Sequence, residues 1–181
     1  MNRLLFAALF TAACFSSVNT TAQEEKTEDT TPTFYRHSLG FSAGGTTGLG
    51  FSYRHFFPNR LGFQVTGVPI FGGGDFFSST GLSLMYIFKE HEKVDLFSYL
   101  GNHLIYERFT YYQAPITFPD PQPGDEVIKE RLTYNIGFGA GVNIHFWEFI
   151  DLSLKAGYGI YNVNSSPATN IAAGIGVYYR F

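Results

Sequence analysis

The stretch LTYNIGFGAGVNIHF at residues 132–146 decides the fold, because every second residue in it is apolar. The apolar positions run from Leu132 through Phe138 to Phe146, and Thr, Asn, Gly and His fill the positions between them. Strict alternation is the pattern of a β-strand, whose side chains point to opposite faces in turn. Strands of soluble proteins usually have only about five or six residues. The stretch therefore predicts a long strand with one bulky apolar face and one small or polar face.

The same alternation recurs along the chain and predicts eight strands. They cover residues 35–43, 49–57, 61–69, 81–88, 95–106, 132–146, 150–160 and 171–181. The phase of residues 95–106 stays open, because Phe97 and Tyr99 compete with Leu96, Leu100 and Leu104 for the apolar face.

The connections between these strands alternate in length. Short turns alternate with longer connections at residues 71–80, 107–131 and 161–170, and only residues 44–48 are short on the long side. Prolines predict an extended segment outside the sheet in the second long connection, at Pro115, Pro119, Pro121 and Pro123. Long loops at one end and tight turns at the other are the layout of an up-and-down barrel.

The bulky apolar face of this barrel must look outward. Eight strands enclose an interior barely wide enough for side chains. Gly, Ser, Asn and Thr fit that interior, whereas the large apolar set would overfill it. An apolar exterior needs lipid, and strands of about 9–11 residues suffice to cross a bilayer. We predict an all-β, eight-stranded antiparallel up-and-down transmembrane β-barrel, with Phe138 and Leu154 facing lipid.

Residues 1–22 have the pattern of a secretory signal peptide. A cationic start precedes an apolar stretch at residues 4–15, and small residues lead to cleavage after Ala22. The only cysteine, Cys14, lies inside this segment. The sequence before it faintly resembles a lipoprotein box, but Thr11 stands where such boxes usually carry Leu. Lipidation of Cys14 is therefore left as an open alternative to a discarded apolar residue.

The remaining chain divides into a leader and a barrel domain. Residues 23–33 (QEEKTEDTTPT) contain no apolar side chain and are predicted to be a flexible acidic leader. The barrel domain is predicted over residues 34–181. The formal net charge of −3 offers no basic surface for nucleic acid. A single cysteine excludes an intramolecular disulfide framework and any zinc site built from cysteines, and we expect neither a cofactor nor a metal site.

The last strand carries the sequence pattern that most specifically matches a known protein family. It ends the chain with Phe181, preceded by apolar residues at alternate positions, Tyr179, Val177 and Ile175. It resembles the final strand of small eight-stranded outer-membrane barrels of Gram-negative bacteria, of the OmpX and OmpA-barrel type. The resemblance covers residues 34–181.

This resemblance implies a location and several partners. The barrel-assembly machinery would read the four residues as an assembly signal, and outer-membrane lipid and lipopolysaccharide would surround a monomer. The mature start Ala22-Gln23-Glu24 resembles that of secreted proteins of Bacteroidota. We therefore expect a Bacteroidota outer-membrane protein exported by a cleaved signal peptide.

Five charged residues fall on the inward phase and predict a charge network in the lumen: Arg36, Arg54, Asp151, Lys155 and Arg180. Charges in a narrow lumen are costly unless they are paired, so Asp151 should contact Arg180 or Arg36. Arg54 and Lys155 exceed the available acids, so water or a backbone carbonyl should share them. The network is interpreted as structural packing, with a gate or a site for a periplasmic anion as the alternative.

Two histidines fall on the outward face near the predicted periplasmic rim. His37 and His55 oppose each other if the first hairpin is centred on Thr46. They are interpreted as amphipathic residues of an interfacial girdle. The alternative is a lipid-modifying site like the His/Ser pair of barrel-shaped lipid A deacylases, but no outward Ser or acid is predicted beside them.

Other polar groups in the long connections are interpreted as solvated surface. Their carboxylates could bind cations, but they lack the spacing of an EF-hand: Asp75, Asp120, Asp125, Glu126 and Glu130. The run Gly72-Gly73-Gly74 precedes Asp75 rather than Lys and Ser or Thr, so it predicts a flexible loop tip and no phosphate loop. Trp147 and Phe149 are predicted to be aromatic girdle residues.

These features together predict an integral outer-membrane barrel with a structural or surface-interaction role through its long loops. Eight strands leave no aqueous pore, and we expect no catalytic residues. The alternative function is a lipid-modifying outer-membrane enzyme like a lipid A deacylase.

Overall fold

Alternating apolar residues build a ring of strands in the computed structural model, which describes residues 37–113 and 125–181. These residues form eight strands: β1 (His37–Gly44), β2 (Gly48–Phe56), β3 (Leu61–Gly72), β4 (Asp75–Lys89), β5 (Val94–Gln113), β6 (Asp125–Trp147), β7 (Ile150–Tyr161) and β8 (Ala168–Arg180). Each strand pairs antiparallel with the next, and β8 pairs with β1, so the sheet closes into a barrel. No helix in the described parts of the chain is long and apolar enough to cross a membrane.

The exterior of the barrel is apolar, as predicted. The side chains of Phe41, Phe51, Phe138 and Ile175 are at least half exposed. Buried polar side chains fill the inward phase, among them Ser38, Ser42, Ser52, Gln64, Thr66, Ser83, Asn143 and Ser153. Such an exterior is stable against lipid, and a closed barrel satisfies its backbone hydrogen bonds without water. The fold is therefore an all-β, antiparallel up-and-down transmembrane barrel.

The lumen also contains large apolar side chains, which contradicts the expectation that such residues would overfill it. Phe97 and Tyr99 point inward, and this settles the open phase of β5. They form a buried cluster with Phe56, Met85 and Ile87. Neighbouring glycines make the room, because a Cβ on Gly141 would overlap the Phe97 ring and one on Gly62 would overlap the Phe56 ring.

The long connections are shorter than the sequence predicted, because the strands continue into them. β3 and β4 run to Gly72 and Asp75, so residues 71–80 form a hairpin rather than a loop. β5 and β6 likewise extend through most of residues 107–131. The positive φ angles of Gly73 (57°) and Gly74 (94°) suit the tight turn between β3 and β4. The four prolines, the predicted signal peptide and the predicted acidic leader lie outside the described residues.

Half of the strands extend past their neighbours. β2 pairs with β3 only as far as Gly67, and β7 pairs with β6 only as far as Ile136. A four-stranded sheet continues beyond these points, formed by residues 68–72, 75–79, 105–113 and 125–133. At about 3.4 Å per residue, its part of β5 extends for roughly 30 Å. We call these four segments the protruding sheet.

Candidate functional site in the lumen and on the protruding sheet

A charge cluster lies at the end of the lumen near the β6–β7 turn. His145 Nδ1 lies 2.6 Å from Asp151 Oδ1, and its Nε2 lies 3.0 Å from Asp95 Oδ2. Arg180 Nε lies 3.0 Å from the same Asp151 oxygen, and Arg180 Nη2 donates to the carbonyl oxygen of Trp147 at 3.0 Å. An ionised carboxylate only accepts hydrogen bonds, so an imidazolium suits the position between the two. This rim cluster of Asp95, His145, Asp151 and Arg180 then balances two cations with two carboxylates.

A second cluster lies deeper in the lumen and contacts no carboxylate among the described residues. Arg54 Nη1 donates to Asn143 Oδ1 at 3.0 Å, and its Nη2 donates to Gln64 Oε1 at 3.4 Å. Lys155 Nζ donates to the same Gln64 oxygen at 2.6 Å. The Arg54 guanidinium carbon lies 3.8 Å from the centroid of the Tyr178 ring. We call these five residues the mid-lumen cluster.

The single charge network expected from the sequence is thus divided into two clusters. The expected contact between Asp151 and Arg180 is present, whereas Arg36 lies outside the described residues. Asp151 contacts His145 and Arg180. Arg54 instead donates hydrogen bonds to side-chain amides. Arg54 and Lys155 contact amide oxygens, and Arg54 also contacts an aromatic ring. A share carried by water stays a prediction.

The sequence analysis did not identify the neutral residues that contact the cations of these clusters. It also did not identify His145 and Asp95 in the rim cluster. His145 pairs directly with Asp151 across a tight turn, and both residues are on the inward phase, so their contact could have been found. Asp95 was missed because the phase of its strand was ambiguous. Gln64 and Asn143 carry no charge, and only the structure shows that both lie within reach of Arg54.

The turn between β1 and β2 folds into the lumen. Thr46 and Thr47 are almost fully buried there. Four inward glycines on the facing strands leave room for the turn: Gly81, Gly101, Gly137 and Gly159. A Cβ on Gly137 would lie 2.6 Å from Thr46 Oγ1, and one on Gly81 would overlap the carbonyl oxygen of Thr47. The short first connection, which broke the expected alternation of loop lengths, therefore lies inside the lumen.

Side chains from three strands hold this inward turn in place. His103 Nδ1 lies 3.0 Å from the carbonyl oxygen of Gly45, and Asn135 Nδ2 donates to the same oxygen at 3.1 Å. Ser79 Oγ accepts from the backbone N–H of Leu49 at 2.9 Å. These contacts fasten the turn to β4, β5 and β6.

Ser79 and His103 also contact each other, with Oγ 2.8 Å from Nε2. A serine beside a histidine is the composition of a nucleophile and its general base. Here the serine is completely buried, and the other ring nitrogen faces a backbone carbonyl rather than a carboxylate. The pair is therefore placed to hold the inward turn and has no access to a substrate.

A groove of about 560 Å³ opens at the tip of the protruding sheet. Its aromatic wall consists of Phe71, Phe76 and Tyr106, with ring centroids 4.7 Å and 5.8 Å apart between successive pairs. Arg108 adds a cation. Asp75 Oδ1 accepts a hydrogen bond from the backbone N–H of Thr110 at 2.9 Å, which fastens the hairpin turn to β5. The groove thus combines aromatic faces with a charged group.

His37 and His55 are paired in register on the outer face, as predicted. Their Nδ1 atoms are 3.3 Å apart, and the Tyr53 hydroxyl lies 2.7 Å from His37 Nδ1. The His37 ring stacks on the ring of Phe181, with centroids 5.9 Å apart. The hydrogen bonds of the two histidines thus connect them with each other and with a phenol, and this is not a Ser/His arrangement.

The residues proposed as an assembly signal lie on the outer face or at its edge. Ile175, Val177, Tyr179 and Phe181 are each more than half exposed. The rings of Tyr179 and Phe181 stack at 6.4 Å between centroids, and Phe149 lies 5.7 Å from Tyr179. Their reading by the assembly machinery stays a prediction.

The acidic residues of the predicted loops fall mostly on strands. Asp75 begins β4, and Asp125, Glu126 and Glu130 belong to β6, whereas Asp120 lies outside the described residues. Glu130 is paired in register with Arg108. Within residues 37–113 and 125–181, no group of three or more His, Cys, Asp or Glu side chains could hold a metal ion.

Comparison with known proteins finds similarity in solved structures only. No protein-family model matches the chain, and no curated protein matches it. The N-terminal β-barrel domain of Pseudomonas aeruginosa OprF is 18% identical, with a TM-score of 0.45 over 80% of this chain and 95% of that chain. Ail, the attachment invasion locus protein of Yersinia pestis, is 18% identical, with a TM-score of 0.44 over 80% of this chain and 96% of that chain. Neisserial surface protein A is 19% identical, with a TM-score of 0.39 over 80% of this chain and 94% of that chain.

Those three solved structures are small eight-stranded outer-membrane β-barrels. Identities this low carry no activity over to this chain, so its function is argued from its own residues. Inside the barrel, side chains and the inward turn fill the lumen. Outside it, the protruding sheet offers an accessible groove with chemically varied walls.

Proposed function

We propose that this protein is an outer-membrane barrel that recognises a partner outside the cell through the protruding sheet, while its lumen stays closed. The proposal assigns it no catalytic activity. Its insertion by the barrel-assembly machinery, its contact with lipopolysaccharide, its monomeric state and its Bacteroidota origin belong to the same proposal.

The apolar surface of the protruding sheet is the observation that carries the proposal. Phe71 is 75% exposed and Ile70 is 52% exposed, although both lie beyond the point where β2 pairs with β3. If the end of the β2–β3 pairing at Gly67 marks the outer edge of the lipid-facing wall, the side chains of Ile70 and Phe71 face water. Phe71 lines the groove and Ile70 lies on the opposite face of the sheet. Exposed apolar side chains in water favour the binding of a partner.

The edges of the protruding sheet add a second feature that favours a protein partner. Residues 68–72 of β3 pair with β4 on one side, and no strand within residues 37–113 and 125–181 pairs with them on the other. Free edges can pair with an added strand, which supplies affinity through backbone hydrogen bonds. Pro69 lacks an N–H and so limits how far such pairing can run. A protein partner with an extended apolar segment fits both the edge and the aromatic groove.

A photo-crosslinking side chain tests this recognition in intact cells. We expect a crosslinker at position 71 to yield adducts with proteins outside the cell, and one at position 138 to yield adducts with lipid only. A crosslinker at position 149 controls for the periplasmic side. Identical adducts from positions 71 and 138 would show that the protruding sheet lies in the membrane and would contradict the proposal.

The second candidate function is a lipid-modifying enzyme, favoured only by the histidine pair on the outer face. Its test is to incubate the purified protein with lipopolysaccharide and to follow acyl-chain loss by mass spectrometry. We expect no loss, because His37 and His55 contact a phenol and each other rather than a serine and a carboxylate. Acyl release that disappears in His37→Ala would replace our proposal with an enzymatic one.

A further inference from the structure

The histidine pair on the outer wall has the geometry of a metal-binding pair. We propose that His37 and His55, together with Tyr53, bind a divalent transition-metal cation of the Zn²⁺ class where the barrel closes. This site is independent of the partner recognition proposed above, because it lies at the opposite end of the strands from the protruding sheet.

The distance between the two ring nitrogens is the first argument. Zinc–nitrogen bonds of about 2.0–2.1 Å at a tetrahedral angle place two ligating nitrogens about 3.3–3.4 Å apart. The Nδ1 atoms of His37 and His55 are 3.3 Å apart. Direct pairing in register holds the two residues opposite each other, so a cation can bridge the strands without a shift of the backbone.

The surroundings of the pair are the second argument. The Tyr53 hydroxyl oxygen lies 2.7 Å from His37 Nδ1, so a cation bound to this nitrogen would displace the hydrogen bond and leave the oxygen close enough to become a third ligand. Phe57 lies 4.6 Å and Phe63 lies 5.7 Å from the His55 ring, measured between centroids. Apolar rings around a metal limit the access of water. The remaining coordination position would face the membrane interface, where water or a phosphate oxygen is available.

The ligand set selects the class of cation. Imidazole nitrogens suit Zn²⁺, Cu²⁺ and Ni²⁺, whereas Ca²⁺ and Mg²⁺ prefer oxygen ligands. Zn²⁺ and Cu²⁺ are therefore the probes for this site, and Mg²⁺ is the negative control.

The position of the site gives binding a structural consequence. β1 pairs with β2 on one side and with β8 on the other. The backbone N–H of Phe181 donates to the carbonyl oxygen of His37 at 3.0 Å. A cation that joins His37 to His55 would therefore tie the first hairpin together beside the seam, and it would stabilise the folded barrel because the unfolded chain lacks the site.

The test uses the full-length mature protein without a histidine tag in detergent micelles. Calorimetric titration should show one Zn²⁺ bound per chain and no binding of Mg²⁺. We expect His37→Ala and His55→Ala each to weaken Zn²⁺ binding at least about tenfold, the scale on which lost metal-site partners act. His91→Ala is the matched control, because His91 is exposed outside the strands and should leave the affinity unchanged.

A second readout keeps the proposal testable if a variant fails to fold. In the unmodified protein, Zn²⁺ should raise the temperature at which the folded band is lost in a detergent gel, and the nitrogen couplings of bound Cu²⁺ in electron paramagnetic resonance should indicate two imidazoles. Equal Zn²⁺ affinity in the wild type and in the His37→Ala/His55→Ala double variant would overturn the proposal. A Cu²⁺ spectrum without imidazole nitrogens would do the same.

Discussion

The rim cluster and the mid-lumen cluster each bury two cationic side chains, but they neutralise them in different ways. At the rim, Asp95 and Asp151 face His145 and Arg180. Deeper in the lumen, Arg54 and Lys155 share the amide oxygen of Gln64, and Arg54 also contacts the ring of Tyr178. The comparison teaches that a narrow lumen can hold cations with neutral dipoles, provided that the dipoles are packed against them.

The rim cluster and the mid-lumen cluster should respond differently to mutation. Removing one partner of a buried ion pair leaves an uncompensated charge, which costs about 3–5 kcal/mol. A hydrogen bond that a charged group donates to a neutral amide oxygen contributes about 1.5–3 kcal/mol. The rim cluster should therefore show larger losses when a partner is removed, and the mid-lumen cluster should gain when a carboxylate is supplied.

Asp151→Asn should have the largest effect. It leaves His145 and Arg180 without their shared carboxylate, so we expect the free energy of unfolding to fall by about 3 kcal/mol, with membrane insertion intact. Reversible urea unfolding in lipid vesicles measures this. Ser153→Ala is the control, because the Ser153 hydroxyl is buried on the same strand and makes no hydrogen bond among the described residues. A loss no larger than that of the control would show that the rim cluster does not depend on its ion pairs.

Gln64→Leu should have the next largest effect. It removes the oxygen that accepts from both Arg54 and Lys155 while nearly conserving volume. We expect a loss of about 2 kcal/mol in the same unfolding assay. A loss above that of Asp151→Asn would reverse the ranking of the two clusters.

The Gln64→Glu substitution tests the comparison in the opposite direction. It places a carboxylate between two cations that have none, so we expect the free energy of unfolding to rise by about 1 kcal/mol. The control is Thr66→Ser, which changes an adjacent inward residue without adding charge. A decrease in stability would mean that the mid-lumen cluster is already balanced by its amides.

Tyr178→Phe should have the smallest effect. The ring that contacts Arg54 stays, and only the 3.2 Å hydrogen bond between the Tyr178 hydroxyl and Ser52 is lost. We expect a loss of about 0.5–1 kcal/mol. Tyr178→Leu should cost more, because it also removes the aromatic face. Equal losses would show that the ring contributes nothing to holding Arg54.

The sequence was sufficient for the barrel and for one ion pair, because both follow from alternation. Residues 132–146 alternate without a break, and the same phase places Asp151 and Arg180 inside. It was insufficient where side chains depend on distant neighbours. Phe97 fits inside only because Gly141 leaves room on the next strand. Residues 71–80 extend as strands because each side pairs with the other, although Gly72-Gly73-Gly74 favoured a loop.

The inward turn shows the same limit. Its shortness was visible in the sequence, but its position inside the lumen depends on glycines from four strands. Neutral residues that bind a cation, such as Gln64 and Asn143, carry no distinctive sequence pattern. Gln64 is the direct cross-strand neighbour of Arg54, whereas the closure of the barrel brings Asn143 on β6 within reach of Arg54 on β2.

Conductance across planar lipid bilayers tests most directly whether the barrel serves recognition rather than passage. The rim cluster, the mid-lumen cluster and the inward turn of residues 44–48 all lie in the lumen, and we propose that together they close it. Purified wild-type protein should therefore insert without producing ion-conducting steps, and chymotryptic removal of exposed segments should not change this. Stable single-channel steps from the wild-type protein would contradict a closed lumen and would make transport the function to examine.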